Sequence, residues 1–322
     1  TDRVCKHFGI VSIENVEVAA ICDLNESHMH VIKNKYNINR SYSDFRKITE
    51  SNDIDIVSIC SYDNFHAEQC ISALNNGKHV MVEKPFTLNR KESESVLRAQ
   101  IDSGLQISSN LILRKSPRFI EIKKMIEGNQ FGEIFCIEGG YIHDILWKLT
   151  DGWRGKMDFY CTIYGGGVHI IDLMRWLSND EITEVSCMGS KILTKNTPYK
   201  FDDTFITLLR FSSGALGKCL TTLGPRRTKF HSLNIYGTKK TFINDTPYGK
   251  IFDGDKIENE SLIKSPYPGM EKGDLIPDFV TAILENRQPE VNSTDVFRAM
   301  DICFASREAA ELGKTIKVDY LI

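Results

Sequence analysis

The first third of the chain alternates between two patterns of apolar and polar residues. Segments with helical spacing separate short, continuous apolar runs at 16–22, 55–60, 79–83 and 105–110. In the segment after residue 60, Ala67, Cys70 and Leu74 share one helical face. Gly77 then provides a stop for that helix. Strands that alternate with helices predict βαβ units and a mostly parallel sheet covered on both faces.

From about residue 133 the pattern changes to extended segments joined by turns. The segments are 133–143, 181–193, 202–211, 214–223 and 230–245. Little helix lies between them, which predicts a largely antiparallel sheet. One helix is predicted at 168–177, with His169 and Asp172 on one face. Two more helices are predicted near the end of the chain, at 275–286 and 293–313.

Polar residues follow three of the early apolar runs. They are Asp23, Ser61 and the triplet Glu83-Lys84-Pro85. In open parallel sheets, ligands bind at the carboxyl ends of the strands. A lysine there can hold a substrate hydroxyl or transfer a proton, and the proline fixes the chain direction. Taken alone, the triplet is better explained as a surface Lys-Pro turn.

Bulk composition narrows the class of protein. The 322 residues are enough for two domains, and 41% hydrophobic with 26% charged residues is a globular composition. Forty Lys and Arg balance 43 Asp and Glu, for a net charge of −3, so no nucleic-acid partner is expected. No apolar run approaches the ~20 residues of a membrane span, and no membrane association is expected.

The cysteines bear on metal binding and on cellular location. The nine cysteines are scattered and form no C-x-x-C pair, so no metal site is predicted. The first residues lack the pattern of a secretion signal. Both observations favour a cytoplasmic location, where thiols stay reduced.

A dinucleotide-binding domain opens with a strand and a G-x-G-x-x-G turn, and this sequence contains neither. We interpret the start of this sequence as lying within the first helix of such a domain. A truncation or a real loss would both explain the missing strand and glycine-rich turn. Asp23 then lies roughly 20 residues past the turn, where an acid binds the adenosine ribose. Its alternative role is that of a turn residue. Leu24 and Asn25 provide no cation for a 2′-phosphate, which favours NAD over NADP.

Five segments resemble the Gfo/Idh/MocA family, named after glucose–fructose oxidoreductase, inositol dehydrogenase and MocA. They begin with "CSYDNFHAEQCISALNNGKHVMVEKPFTLNRKES" (60–93) and "NLILRKSPRFIEIKKMIEGNQFGEI" (110–134). "GGGVHIIDLMRWL" (165–177), "LNIYGTKKTFI" (233–243) and the segment 277–318 follow in the family's order. Each piece is a weak pattern, whereas the set is highly specific.

The resemblance implies a fold and an activity. It implies a dinucleotide-binding Rossmann domain, predicted here for 1–112, incomplete at its start. An α+β domain with an open sheet follows, predicted for 113–322. The implied reaction is NAD(P)-dependent hydride transfer on a sugar, nucleotide sugar or inositol-like polyol. Association as a homodimer or homotetramer through the open sheet is also implied.

By motif match, the resemblance implies that Lys84 lies near the nicotinamide and the reacting hydroxyl. His169 matches the family's acid/base histidine, so a hydroxyl between these two groups would lose its proton to the imidazole. Asp172 matches the acid one turn later. It would orient the imidazole or form a structural pair with Arg175.

The resemblance also implies cofactor contacts. Ser61, Asn64 and His66 fall in the loop that runs along the cofactor, and Glu83 falls near the nicotinamide ribose. The sequence departs from the family at Tyr62, where proline is common.

The sequence also departs from the family near His169. Many members carry an acid four residues before this histidine, where Gly165 stands here, and the adjacent Tyr164 could provide a phenol instead. Our candidates for substrate binding are Arg114, Trp153 and Arg154, because sugars need aromatic and charged groups together. Trp153 as a core residue and Arg154 as a surface charge are the alternatives.

Two other functions are compatible with this sequence. A sugar- or cofactor-sensing regulatory protein of the same fold would bind dinucleotide without turnover. A glycosidase-type member would use NAD transiently and accumulate no NADH.

Overall fold

The computed structural model describes residues 13, 16–254, 256 and 259–322. The start of the chain, on which the expectation about the glycine-rich turn falls, lies outside these ranges. The described residues divide into two compact units. Unit one comprises residues up to 112 together with 271–297 and 321–322, and unit two comprises 113–270 and 298–320.

Unit one begins as an alternation of strands and helices. Its elements up to residue 109 are β1 (Ala20–Cys22), α1 (Glu26–Tyr36), β2 (Arg40–Tyr42), α2 (Arg46–Thr49), β3 (Ile56–Ile59), α3 (His66–Asn75), β4 (His79–Val82), α4 (Arg90–Ser103) and β5 (Ile107–Ser109). β1 pairs with β2, and β3, β4 and β5 form a three-stranded sheet in that order. All of these pairings are parallel, as the alternating pattern predicts.

The helix α4 shows why these boundaries were readable from the sequence. The Asn89 side chain accepts a hydrogen bond from the backbone N–H of Glu92 (3.0 Å) and caps the first turn. Gly104 ends the helix in the left-handed region, with φ of 68°. Both residues are of types that favour these positions, so the two ends of α4 follow from the local sequence.

Unit two contains most of the remaining elements. They are α5 (Pro117–Glu127), β6 (Ile134–Ile142), α6 (Trp147–Thr150), α7 (Val168–Ser178), β7 (Ile182–Ser190), β8 (Thr204–Phe211), β9 (Leu216–Thr222), β10 (Phe230–Gly237), β11 (Thr241–Ile243), β12 (Gly249–Phe252) and β13 (Glu260–Ile263). The chain ends with α8 (Ile276–Leu284, in unit one), α9 (Ser293–Leu312) and β14 (Ile316–Lys317).

A nine-stranded sheet organises unit two, in the order β13-β12-β11-β10-β6-β9-β8-β7-β14. β6 and β9 pair in parallel, and the other neighbours pair antiparallel. The predicted open and mostly antiparallel sheet is therefore confirmed. The parallel pair was not predicted.

The helix α7 lies against the inner face of this sheet. A side chain at Gly139 of β6 would collide with Ile170 and would come within 3.1 Å of Met174 Sδ. The absent side chain therefore lets α7 approach the strand closely. This packing fixes the helix that carries His169.

Three further features concern membrane-spanning helices, cysteines and metal-binding groups. No helix within the described ranges is both long and apolar enough to cross a membrane. The eight cysteines in those ranges are free. The same residues include no group of three or more His, Cys, Asp or Glu side chains that could hold a metal ion.

Candidate active site

Polar groups meet at the carboxyl ends of β4 and β5 in unit one. The Asn110 amide donates to Glu83 Oε1 (3.1 Å), and the Lys84 backbone N–H donates to Glu83 Oε2 (3.3 Å). Glu83 and Asn110 help line a small concavity of about 10 Å³, with Ser58 and Cys60 on the neighbouring strand and loop. β4 ends at Val82. The triplet Glu83-Lys84-Pro85 therefore lies just beyond the strand, at the edge of the sheet where ligands bind in parallel sheets.

The loop after β3 is held by His66, which is fully buried. Its Nδ1 lies 2.6 Å from the Pro85 carbonyl oxygen, and its Nε2 lies 3.3 Å from the Ser61 carbonyl oxygen. The imidazole thus joins this loop to the turn that carries Lys84. We interpret His66 as a support of the cofactor loop, and its predicted contact with the cofactor stays a prediction.

The other predicted loop residues have different environments. Ser61 donates to Gln69 Oε1 (2.8 Å), whereas Asn64 is exposed. Asp63, which the sequence analysis did not select, is only 3% exposed, and its Oδ2 has no hydrogen-bond partner among the described residues. Such a buried oxygen is costly unless a ligand or water completes its bonding. The signal in the sequence that could have identified Asp63 was its position just past the end of β3.

Asp23 lies immediately after β1, where the sequence placed a ribose-binding acid. Its Oδ1 accepts a hydrogen bond from the Asn25 backbone N–H (3.0 Å). Burial alone would raise the pKa of Asp23, but the pKa is lowered overall, and the hydrogen bond from Asn25 and the charge of His28 are among the causes. The carboxylate is therefore ionised at neutral pH.

In unit two, His169 occupies the first turn of α7 and is 8% exposed. Its ring stacks on Tyr141 of β6, with 6.0 Å between centroids and 16° between planes. A side chain at Gly166 would come within 2.7 Å of Tyr141 Cδ1, so this glycine leaves room for the tyrosine. Burial raises the pKa of Tyr141 to about 12, against the opposing charge of Arg154.

Two further histidines lie beside Tyr141, with ring centroids 6.0 Å away for His143 and 5.6 Å away for His231. Burial, with the charge of Lys229, lowers the pKa of His143 to about 4 and that of His231 to about 3. Both imidazoles are therefore neutral at physiological pH, and Tyr267 Oη lies 3.0 Å from His231 Nδ1. The sequence analysis missed this cluster. The alternation along β6 was the only signal that Tyr141 points inward.

Asp172 lies one turn beyond His169 and is fully buried. Arg114 binds it in a fork, through Nε–Oδ2 at 2.9 Å and Nη2–Oδ1 at 2.5 Å. Arg175, which the sequence offered as the partner of Asp172, donates to Glu181 at 2.8 and 2.7 Å. The observed partner of Asp172 is thus Arg114. This geometry favours a structural role for Arg114, and its substrate contact remains a prediction.

Trp153 and Arg154 lie in a short 3₁₀ helix, Trp153–Lys156. The Arg154 guanidinium carbon lies 4.2 Å from the Trp153 ring centroid and 5.2 Å from that of Tyr160. The cation is therefore held between two aromatic rings, and both residues are partly exposed. The structure thus brings together the aromatic and cationic groups that were predicted to bind substrate.

Tyr164, the phenol suggested from the sequence, packs against α9. Its ring meets Phe304 edge to face at 5.4 Å and lies 5.9 Å from the Arg307 guanidinium carbon. Burial raises the pKa of Tyr164 well above its usual value. The phenol that reaches position 165 is that of Tyr160: a side chain at Gly165 would collide with its hydroxyl.

Comparison with known proteins identifies the class that this fold and these residues define. Residues 6–111 match the model described as "Oxidoreductase family, NAD-binding Rossmann fold". Residues 119–243 match the GFO/IDH/MocA C-terminal domain. The chain therefore belongs to the GFO/IDH/MocA oxidoreductase family and carries its NAD-binding Rossmann domain.

Several relatives of known activity are similar over most of the chain. A myo-inositol 2-dehydrogenase from Thermotoga maritima is 22% identical, with 98% of this chain and 96% of the relative covered. A scyllo-inositol 2-dehydrogenase (NAD+) from Bacillus subtilis is 25% identical, with 96% and 91% covered. Among solved structures, a levoglucosan dehydrogenase in complex with NADH and levoglucosan has a TM-score of 0.85 at 23% identity, with 94% and 91% covered.

Proposed function

We propose that this protein is an NAD-dependent dehydrogenase that oxidises a secondary hydroxyl of a cyclic polyol or sugar. The observation that carries the proposal is the buried His169, stacked on Tyr141 and carried by a helix packed on the family's C-terminal sheet. Membership of the oxidoreductase family supports the reaction class. Relatives that act on inositols and levoglucosan support the substrate class.

The residues of unit one fit a dinucleotide. Asp23 offers an ionised carboxylate after β1, and Asp63 offers a buried oxygen that lacks a partner among the described residues. The concavity beside Glu83 and Asn110 lies at the carboxyl ends of the strands. Bound along this edge of the sheet, NAD+ would supply the hydride acceptor for the reaction.

The proposed reaction removes one proton and one hydride from the substrate. His169 takes the hydroxyl proton while the carbon loses its hydrogen as hydride, which leaves a carbonyl product. The Lys84 ammonium stabilises the developing alkoxide. An imidazole suits the proton transfer because its unperturbed pKa, ~6.5, lies near working pH. Trp153 would face the C–H bonds of the ring and Arg154 its oxygens.

The test is NADH formation, followed by absorbance, across myo-inositol, scyllo-inositol, levoglucosan and glucose. We expect turnover on at least one of them, and a loss of about 10²–10⁴-fold in Lys84→Ala and His169→Ala. The exposed residues His30 and Lys91 provide matched controls, because His30→Ala and Lys91→Ala should keep full turnover.

Other outcomes would contradict the proposal. If wild type is active and both site variants keep near-full turnover, the assigned residues are wrong. Dinucleotide binding without turnover on any substrate would favour a regulatory protein. Product formation without net NADH would favour transient use of NAD.

We also propose that the open face of the unit-two sheet binds a second copy of this chain. The outward residues Met188, Ile206 and Leu220 lie opposite one another on β7, β8 and β9. Met188 is 80% exposed and Ile206 is 48% exposed. A row of exposed apolar side chains across a sheet is typical of an interaction surface. Lys218 and Glu138 form a 2.5 Å ion pair in the next row, at the polar side of the surface.

A further inference from the structure

Gly165 leaves its side-chain space to Tyr160. A side chain at Gly165 would collide with Tyr160 Oη and would come within 2.6 Å of Cζ and 2.7 Å of Cε2. Tyr160 is only 5% exposed, so its phenol is enclosed at this position. The hydroxyl of Tyr160 therefore occupies the place that any residue at 165 would otherwise fill.

Position 165 lies four residues before His169, at the beginning of the same helical run. Its backbone N–H bonds to the Cys161 carbonyl (3.0 Å), which is the spacing of an α-helical turn. A π-helical turn, Ile163–Gly167, then leads into α7. Residues four apart lie on one face of a helix, with Cβ atoms about 5–6 Å apart. The Tyr160 hydroxyl thus fills the place of a side chain four residues before His169 in the same helical run, and π turns of this kind are frequent at functional sites.

The ring of Tyr160 also contacts Arg154. The guanidinium carbon lies 5.2 Å from its centroid and also contacts Trp153. A cation over an aromatic face restrains both partners. The phenol therefore presents its hydroxyl with little freedom, next to the residues that we assign to substrate binding.

We propose that Tyr160 is a substrate-binding residue whose hydroxyl donates a hydrogen bond to a substrate oxygen beside the reacting carbon. This assignment rests on the proposed dehydrogenase function. A carboxylate can only accept hydrogen bonds, whereas a phenol can also donate one. The site thus presents a neutral donor before His169, which favours a substrate with an acceptor there, such as a ring or bridging ether oxygen.

The test compares Tyr160→Phe with wild type. Phenylalanine keeps the ring between Gly165 and Arg154 and removes only the hydroxyl. We expect kcat/KM for the preferred polyol to fall at least tenfold, with the NADH dissociation constant and the melting temperature unchanged. Stabilisation of the NADH complex by added polyol, measured as a shift in melting temperature, should be lost in parallel.

Two further variants make the test specific. Tyr199→Phe removes a second buried phenol of unit two, which packs against Phe201 at 5.9 Å, and should leave kcat/KM unchanged. Gly165→Ala places a methyl group where the Tyr160 hydroxyl lies, and should reproduce the loss of Tyr160→Phe. Polyol kinetics and binding within twofold of wild type in Tyr160→Phe would overturn the proposal.

The binding measurement separates this inference from the proposed function. If wild type binds a polyol without oxidising it, the dehydrogenase assignment fails. The role of Tyr160 is then tested only by the polyol-dependent shift in melting temperature. If wild type binds NADH but neither binds nor oxidises any polyol in the panel, both assignments are overturned.

Discussion

At the scale of single residues, Asp23 bears on cofactor choice. Its ionised carboxylate lies just past β1 and would repel a 2′-phosphate, and neither Leu24 nor Asn25 supplies a compensating charge. We therefore propose that NAD is preferred over NADP. This preference depends on one side chain and its immediate neighbours, so it can be tested by substitution.

We expect Asp23→Ser combined with Leu24→Arg to shift the ratio of NADPH to NADH affinity by at least tenfold towards NADPH. Removal of the carboxylate relieves the repulsion, and the guanidinium supplies a partner for the phosphate. Fluorescence titration of both dinucleotides measures the two dissociation constants. Asp102→Ser, at an exposed acid of α4, should leave the ratio unchanged. A wild type that prefers NADPH would contradict this prediction.

At the scale of elements, the pair between Arg114 and Asp172 fixes α7. Arg114 lies in the turn just after β5, and Asp172 lies 58 residues later. Their side chains are 4% and 1% exposed, so each depends on the other to offset its loss of solvation. The pair therefore positions the helix that carries His169.

Asp172→Ala should lower the free energy of unfolding by about 3–5 kcal/mol, because it leaves the buried Arg114 without its carboxylate. Urea denaturation measures the change. Glu127→Ala removes the exposed partner of Lys123 in α5 and should cost less than about 0.5 kcal/mol. A loss below about 1 kcal/mol in Asp172→Ala would show that the pair does not hold the helix.

At the scale of the whole molecule, the open sheet face is expected to determine the assembly. β8 alternates buried and exposed residues, and the outward Ile206 and Leu208 are 48% and 54% exposed. The inward residues of the same strand are buried. The strand therefore exposes two apolar side chains on its outward face, where they are available to a partner.

Ile206→Asp combined with Leu208→Asp should convert an assembly of at least two copies into a monomer, since paired charges on this face oppose its burial. Size-exclusion chromatography with light scattering measures the mass. Leu312→Asp, at an equally exposed residue at the end of α9, should leave the mass unchanged. A wild type that is monomeric at micromolar concentration would refute the proposed interface.

The sequence by itself determined the order and type of most elements, but it did not predict the helices Pro117–Glu127 and Trp147–Thr150 or the strands Gly249–Phe252 and Glu260–Ile263. Period-two and helical spacing, with caps such as Asn89 and Gly104, are local signals, and the spacing predicted the alternating first half and the largely antiparallel sheet. The motif around Lys84 and the histidine at 169 were likewise readable, because each lies within a short stretch of chain. The family match confirmed the class to which these stretches belong.

Only the tertiary structure decided which side chains meet. Asp172 pairs with Arg114, whereas Arg175, which the sequence offered, pairs with Glu181. The ring against His169 comes from β6. The phenol at position 165 belongs to Tyr160, although Tyr164 is its neighbour in sequence. Periodicity reports which face a residue occupies. Contacts of a few ångströms depend on how distant segments pack and on the space that small residues leave, and no local pattern encodes either.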